Sequence, residues 1–334
     1  VSITSVYLSE NKIKSISDGS LVNLQNLQLH CNELEDLPKL GAVQVKDIFL
    51  MSNKLKSFDL EDLFINPQSN DEDNNIEQQS LPKQLPSIFD PMILTKINLS
   101  NNNLDKINPN IFDLPNLIYL NVEKNNLHKI PRIVSLSKIL FLNISENPLE
   151  KLKFDLPISI MSFYCSSCQL KEIPESISDC ISLSIFYCMD NEIEILHELP
   201  SVGILNASNN KIKEFPFLPR SAKQIDLSLN DIESLPDTLE NYTNLVELDL
   251  SYNKLKLLPN IQTLSNLVFL KLSHNTDLTG KIDLSSYHML ETFDISFTHL
   301  MIEEMPLENI RELIVSVPSE GATNLSHIFY ENKK

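Results

Sequence analysis

Cysteine is the residue type in this chain whose spacing most directly suggests chemistry. Cys165 and Cys168 form a C-x-x-C motif, and Cys188 follows them. Two thiolates at this spacing can hold a zinc ion or cycle between a dithiol and a disulfide. A zinc site needs further Cys or His ligands, but the 7 histidines are scattered without ligand spacing. Whether the motif is a chemical site or part of a structural pattern therefore depends on what surrounds it.

Motifs for nucleophilic, metal-dependent or phosphate chemistry do not occur. The sequence has no G-x-S-x-G, no G-x-x-x-x-G-K-[ST] and no H-E-x-x-H. Because it has only 5 glycines, it also lacks the loops that bring several backbone N–H groups onto a phosphate. We therefore expect no enzyme, no cofactor and no metal site within these residues.

One spacing of leucine and asparagine recurs along the chain. In LVELDLSYNKLKLLP, residues 245–259, apolar residues lie 8, 5 and 3 positions before Asn253 and 2 and 5 positions after it. This spacing fits neither the period of a helix nor the strict alternation of a strand. Positions are numbered from this residue, so that Leu250 is at position −3. The pattern fits 13 anchor positions: Asn11, Asn32, Asn53, Asn102, Asn125, Asn147, Cys168, Asn191, Asn210, Asn230, Asn253, Asn275 and Thr298.

Each copy of the pattern predicts a short strand followed by a sharp turn. Residues at −5 and −3 point into a common core, and the Asn side chain bridges backbone groups that the turn leaves unpaired. In this frame Cys168 is an anchor, while Cys165 and Cys188 stand at −3 of their repeats. We therefore interpret the C-x-x-C motif as part of the repeat, with core thiols, and not as a zinc or redox site.

The pattern resembles the leucine-rich repeat, L-x-x-L-x-L-x-x-N-x-L-x-x-L-P, over nearly the whole chain. The resemblance implies an α/β fold, a right-handed solenoid of about 13–14 repeats with a parallel concave sheet and short convex extended or 3-10 segments. Prolines such as Pro174 and Pro236 start the convex segments, because proline cannot continue a ladder. We expect the solenoid over residues 1–318, an acidic polar insertion at 59–91, and a tail or linker at 319–334.

The short repeats that end in Leu-Pro look like the intracellular Ras-suppressor type. They are also similar to the repeat regions of adenylyl cyclases and of metal-dependent 2C-class protein phosphatases. This resemblance implies a non-catalytic protein-recognition scaffold in intracellular signalling, which binds a protein partner on its concave face. The alternative is a regulatory leucine-rich-repeat region of a larger enzyme, such as a 2C-class phosphatase or a cyclase. A catalytic domain encoded in the same gene would favour the alternative.

The strand positions that face outward, −6, −4, −2 and −1, are where such a solenoid meets a partner. In the middle of the chain they carry aromatic and aliphatic residues, which are enriched at the centres of interfaces. Further along, position −4 carries aspartates with aromatic residues beside them at −1, including His274, which suits a partner rich in Arg or Lys. The candidate partner-binding residues are Phe141, Tyr164, Ile185, Tyr187, Met189, Asp226, Glu247, Asp249, Tyr252 and Phe297.

Net charge bears on the partner and on the compartment. A charge of −18 favours a basic partner and opposes binding to nucleic acid or an anionic membrane. No apolar run approaches the roughly 20 residues of a membrane span, so no membrane insertion is expected. The segment 59–80 carries seven acidic residues and is either a tolerated surface insertion or an acidic arm for such a partner.

Unpaired core thiols, without the cysteine-clustered caps usual in extracellular leucine-rich domains, predict a cytoplasmic protein.

Overall fold

The computed structural model describes residues 5–16, 24–37, 45–59, 93–133, 138–304 and 310–315. Its contacts divide the chain into two compact units, residues 1–168 and 169–334. In both units, the described residues form short parallel strands that alternate with extended segments and 3-10 helices. No α-helix occurs among them. The insertion and the tail predicted from the sequence lie outside the described residues, apart from position 59, and those predictions stand untested.

The first unit contains a main parallel sheet and a smaller strand pair. In the main sheet the strands follow one another in chain order, β1-β2-β3-β5-β7-β8-β9, while β4 pairs with β6. The strands are β1 (Ser5–Tyr7), β2 (Asn26–Gln28), β3 (Asp47–Phe49), β4 (Ser57–Phe58), β5 (Lys96–Asn98), β6 (Lys106–Ile107), β7 (Tyr119–Asn121), β8 (Phe141–Asn143) and β9 (Ser162–Tyr164).

The second unit is built in the same way. Its main sheet has the order β10-β11-β12-β13-β14-β16-β18, and β15 pairs with β17 with a register shift between Ile282 and Asp283. The strands are β10 (Ile185–Tyr187), β11 (Ile204–Asn206), β12 (Gln224–Asp226), β13 (Glu247–Asp249), β14 (Phe269–Lys271), β15 (Thr279–Asp283), β16 (Thr292–Asp294), β17 (His299–Glu304) and β18 (Glu312–Ile314).

The register of the main sheets places equivalent repeat positions side by side. In the second unit, Ile225 pairs with Leu248, and Leu248 pairs with Leu270. These central strand residues are at position −5 and are 0–2% exposed. Leu227 and Leu250, at −3, are also buried. The repeat frame therefore fixes which side chains form the core, as predicted, and leaves positions −6 and −4 of each strand on the opposite surface.

The anchor asparagines form hydrogen-bonded columns within each unit. The Asn253 Nδ2 donates to the backbone oxygens of Leu227 at 2.9 Å, Leu250 at 3.1 Å and Ser251 at 3.2 Å. Its Oδ1 accepts from the Ile232 N–H at 3.0 Å. An equivalent set of partners surrounds each of Asn53, Asn102, Asn125, Asn147, Asn210, Asn230 and Asn275. The predicted turn-bridging role of the amide is confirmed.

The Cys168 thiol keeps part of that role at an anchor position. Its Sγ lies 3.3 Å from the backbone oxygens of Ile144 and Ser166, the oxygens that an anchor amide would contact. A thiol cannot replace the amide oxygen, so the Leu149 N–H donates instead to the Asn147 backbone oxygen at 2.8 Å. Because Cys165, Cys168 and Cys188 are all 0% exposed, the interpretation of the C-x-x-C motif as part of the repeat is confirmed.

The connecting segments are short on the side opposite the main sheet. The 3-10 helices are Pro109–Asp113, Glu175–Asp179 and Asp237–Asn241. Pro174 and Pro236 stand at the N-cap positions of the second and third helices, as expected for a residue that has no N–H to donate. The predicted solenoid architecture, a parallel sheet with short extended or 3-10 connections, is confirmed within the described residues.

The predicted insertion does not interrupt the sheet of the first unit. Strand β3 pairs directly with β5, with Ile48 opposite Ile97. The anchor asparagines Asn53 and Asn102 are bridged in the usual way, since the Leu55 N–H donates to Asn102 Oδ1 at 3.1 Å. One ordinary coil therefore closes between these two anchors.

Candidate functional site

We define the sheet surface as the outward side chains at positions −6, −4 and −2 of the main sheets. The predicted central patch has members in both units, and each group is described within its own unit. Every predicted member, Phe141, Tyr164, Ile185, Tyr187 and Met189, is half-buried. Side chains at outward-facing strand positions are expected to be exposed, and here they are not. Neighbouring strands are about 4.8 Å apart, so large side chains at the same position pack against one another and reduce each other's exposure to solvent.

In the first unit, three aromatic rings lie in contact on the sheet surface. The Tyr119 and Phe141 rings are stacked with centroids 4.3 Å apart and an interplanar angle of 9°. The Phe141 and Tyr164 rings are 5.2 Å apart and tilted by 40°. The sequence analysis selected Phe141 and Tyr164 but missed Tyr119. The signal was available, because Tyr119 occupies position −6, as Phe141 does.

In the second unit, the sheet surface contains a shallow cavity of about 270 Å³, the sheet-face cavity. Tyr187 and Ile204 form its apolar part, and Phe269 also lines it. Its polar part comes from β11 to β14. The polar lining residues are Asn206, Gln224, Asp226, Glu247, Asp249 and Lys271. The cavity thus brings together four predicted residues, Tyr187, Asp226, Glu247 and Asp249, and adds Gln224 and Phe269, which sequence reasoning missed at position −6.

Short hydrogen bonds hold the two cavity aspartates in place. Asp226 Oδ1 accepts from the Ser228 backbone N–H at 3.0 Å and from its hydroxyl at 2.7 Å. Asp249 Oδ1 accepts from Ser251 in the same way, at 3.0 and 2.6 Å. The serines at position −2 therefore orient the carboxylates at −4. A fixed carboxylate loses little side-chain entropy when it binds a cationic partner.

The cavity is electrostatically asymmetric. Lys271 Nζ lies 3.4 Å from Asp249 Oδ2, while Gln224 Nε2 donates to Glu247 Oε1 at 3.0 Å. Burial raises the pKa of Asp226 above its usual value, and the negative charge of Asp249 adds to this effect. Hydrogen bonds from Ser228 and the charge of Lys271 oppose the rise in pKa. An ionised Asp226 is thus only partly compensated, and a cation from a partner would stabilise it.

Two further predicted residues, Tyr252 and Phe297, do not line the cavity. Tyr252 and Phe297 are at position −1 and are exposed. Both rings stack on His274, with centroid distances of 3.9 Å to Tyr252 and 4.2 Å to Phe297. The structure therefore joins these two residues through the imidazole between them.

The described part of the chain lacks metal-binding side-chain groups and membrane-spanning helices. No three His, Cys, Asp or Glu side chains there are grouped so that they could hold a metal ion. Nor does that part hold a helix with the length and apolar character needed to cross a membrane. What the sheet surface offers is shape, aromatic area and oriented carboxylates, which are the means of binding another molecule.

Comparison with known proteins agrees with the fold. Residues 93–149 and 244–264 match two family models, both described as leucine rich repeat. Osteomodulin of Bos taurus is 28% identical over 197 residues, which are 54% of this chain and 44% of osteomodulin, so the chain spans less than half of that relative.

Two solved structures illustrate the structural similarity. The leucine-rich effector YopM of Yersinia pestis has a TM-score of 0.64 and 24% identity, covering 94% of this chain and 88% of YopM. The plant peptide hormone receptor RGFR1, in complex with RGF2, has a TM-score of 0.62 and 20% identity, covering 93% of this chain and 55% of the receptor. At these identities the likeness shows the fold. The recurring anchor, the parallel sheet and these matches together define a leucine-rich-repeat solenoid fold.

Proposed function

We propose that this chain is a non-catalytic scaffold of cytoplasmic signalling, which binds a protein partner of basic character through its sheet surface. The observation that carries the proposal is the sheet-face cavity. It places the half-buried aromatic ring of Tyr187 and the aliphatic side chain of Ile204 beside the oriented carboxylates of Asp226 and Asp249. Apolar area surrounded by polar groups is the usual anatomy of a recognition surface.

Two further observations support the partner class and the compartment. RGFR1, which has this fold, was solved in complex with RGF2, so the fold can accommodate a bound partner. None of the five cysteines forms a disulfide, and four of them are buried. Buried cysteines kept as thiols suit a reducing compartment. The net charge of −18 favours association with a basic protein through long-range attraction.

A matched pair of substitutions tests the apolar part of the cavity. Proteins are captured from a cytosolic extract, purified, and measured for their dissociation constants against each variant. Ile204→Ala removes a half-buried side chain of the cavity, whereas Ile195→Ala removes a 69%-exposed one outside the strands. We expect Ile204→Ala to weaken binding about tenfold or more, as at an interface centre, and Ile195→Ala to leave it unchanged. Equal effects of the two substitutions would remove the cavity from the proposal.

Asp226→Asn tests the electrostatic part. The fold tolerates the amide, because Asn206 Oδ1 in the preceding coil accepts from the Ser208 N–H and hydroxyl at 3.1 and 2.7 Å. We expect slower association with the basic partner and a weaker dependence of the rate on salt. Stopped-flow measurements at several ionic strengths give both quantities. Asp277→Asn, at an exposed position away from the sheet surface, carries the same charge change and is the control.

A further inference from the structure

The residue before each anchor, at position −1, has the same unusual backbone conformation in every described coil. Its φ lies between 52 and 59° throughout. This left-handed region is unfavourable for residues other than glycine, and Asn and Asp tolerate it best. In the first nine coils the position is held by small or polar side chains. They are Glu10, Cys31, Ser52, Asn101, Lys124, Glu146, Ser167, Asp190 and Asn209.

The next four coils, all in the second unit, depart from this rule. Their residues at position −1 are Leu229, Tyr252, His274 and Phe297, which we call the ring ridge. Leu229, Tyr252 and Phe297 are 47, 48 and 55% exposed. Core packing therefore does not account for large side chains at four successive positions whose backbone disfavours them, three of which are exposed and largely apolar. A contiguous exposed apolar ridge of this kind is typical of an interaction surface.

Three of the four ridge residues are in contact through their rings. The Tyr252 and His274 ring planes are 11° apart, and those of His274 and Phe297 are 24° apart. Centroid distances of 3.9 and 4.2 Å place the three rings in one stack. Each ring is held by its neighbour, so a ligand that packs along the ridge meets surfaces that are already ordered.

Acidic residues precede two of the ring residues by three positions, Asp249 before Tyr252 and Asp294 before Phe297. Asp249 Oδ1 accepts from Ser251, the residue that precedes Tyr252, at 2.6 Å from the hydroxyl. Asp294 Oδ1 accepts from the backbone N–H of Ser296, which precedes Phe297, at 2.9 Å. Lys271, between these coils, is paired with Asp249. Aromatic surface next to oriented carboxylates is complementary to a cation with a flat, partly apolar surface.

We propose that the ring ridge binds arginine side chains of an extended basic segment of the partner. The guanidinium groups pack against the solvent-exposed parts of the Tyr252 and Phe297 rings, which lie away from the faces covered by His274. Their N–H groups donate to the carboxylates of Asp249 and Asp294. Lysine fits less well, because its ammonium is a compact, strongly hydrated charge that cannot stack. This inference rests on the proposed function, since it specifies the chemistry of the basic partner.

The test compares two labelled peptides, one alternating glycine with arginine and one alternating glycine with lysine, of equal length and charge. Fluorescence anisotropy at physiological ionic strength gives their dissociation constants. We expect the wild type to prefer the arginine peptide, and the Tyr252→Asn/Phe297→Asn variant to lose that preference. Exposed cation–π contacts correspond to about a two- to fivefold loss for each ring. The variant should fold, because Asn101 and Asn209 already occupy the same left-handed position.

Two further variants separate the possible outcomes. Asn209→Ser changes position −1 one coil before the ridge and should leave both affinities unchanged. Tyr252→Phe keeps the ring and should keep the preference for arginine, which tests the ridge without removing an aromatic surface. No preference in the wild type, or a preference that survives the double substitution, overturns the inference.

A third variant distinguishes failure of this inference from failure of the proposed function. Asp249→Asn/Asp294→Asn should weaken both peptides together, since it removes charge and leaves the rings. If it does so while the ring variant has no effect, the surface binds cations through charge alone and the ridge is not the site. If neither double variant changes either affinity, the basic partner proposed for this surface is wrong as well.

Discussion

At the scale of the residue, the anchor asparagine satisfies backbone groups of two successive coils at once. Asn230 Nδ2 donates to the backbone oxygens of Ala207 at 3.0 Å and of Leu227 at 3.1 Å. Its Oδ1 accepts from the Ile212 N–H at 2.9 Å. Buried backbone groups must be paired, and this amide pairs three of them at once.

Asn230→Ala should therefore destabilise the protein far more than its small volume change suggests. Several buried donors and acceptors lose their partner, each at about 1–3 kcal/mol, so we expect a loss of about 3 kcal/mol or more in the free energy of unfolding. Urea denaturation measures it. The control is Asn244→Ala, which removes an exposed amide that donates to the Arg220 backbone oxygen at 3.0 Å. Equal losses for the two variants would contradict the structural role of the anchor.

The spacing of the repeat predicts which residues are buried. It does not predict the left-handed backbone conformation at position −1. A left-handed backbone conformation is normally predicted from Gly or Asn in the sequence. Tyr252, His274 and Phe297 adopt it, but their residue types do not predict it. Those rings stack because neighbouring coils are close together. The same short distance lets side chains of adjacent strands partly bury Tyr187. The role of Gln224 in the cavity could not be predicted, because a single polar residue at position −6 does not belong to any repeated sequence pattern.

At the scale of the element, successive coils of the second unit carry opposite charges just after the anchor. At position +1, Lys211 Nζ lies 3.0 Å from Glu192 Oε2. Two positions further on, Lys213 Nζ lies 2.8 Å from Glu194 Oε2. The pattern repeats in the pairs Lys254–Asp231 and Lys256–Glu233. The hydrogen bond from Lys213 lowers the pKa of Glu194, and that from Lys256 lowers the pKa of Glu233.

Reversing the charge of one coil tests whether this alternation of charge contributes to stability. Lys211→Glu/Lys213→Glu places acidic residues between two coils that are already acidic at the same positions. We expect a lower thermal midpoint at low salt, with most of the difference lost at high salt, because exposed charges are screened. Differential scanning calorimetry at several salt concentrations measures it. Lys211→Gln/Lys213→Gln should lie between the wild type and the reversed variant, and a loss that is independent of salt would point to packing.

At the scale of the whole molecule, the buried thiols link stability to pH. Burial raises the pKa of Cys168 to about 12 and of Cys180 to about 11, and it also raises the pKa of Cys188. In the unfolded chain these thiols ionise near the ordinary value of 9.0. Above that pH the unfolded state binds fewer protons than the folded state, so the free energy of unfolding falls as pH rises.

We predict a loss of stability as pH rises through about 9 to 10, before tyrosine side chains ionise at their ordinary value of 10.0. Urea denaturation at stepped pH measures it. Cys180→Ala should reduce the slope of stability against pH, because one thiol no longer ionises on unfolding. Cys31→Ser removes an exposed thiol and should leave the slope unchanged. A slope that none of the buried cysteines affects would assign the alkaline loss to other groups.

The direct pairing of β3 with β5 has a consequence for how such a chain can change. The chain leaves the coil after Asp59 and rejoins it before Ile97, yet the amide of Asn102 still donates to the Leu50 backbone oxygen at 3.0 Å. That coil is closed by contacts between residues on either side of positions 60–92. The junction is therefore a permissive insertion site, at which a reporter or a whole domain could be inserted without disrupting the parallel sheet.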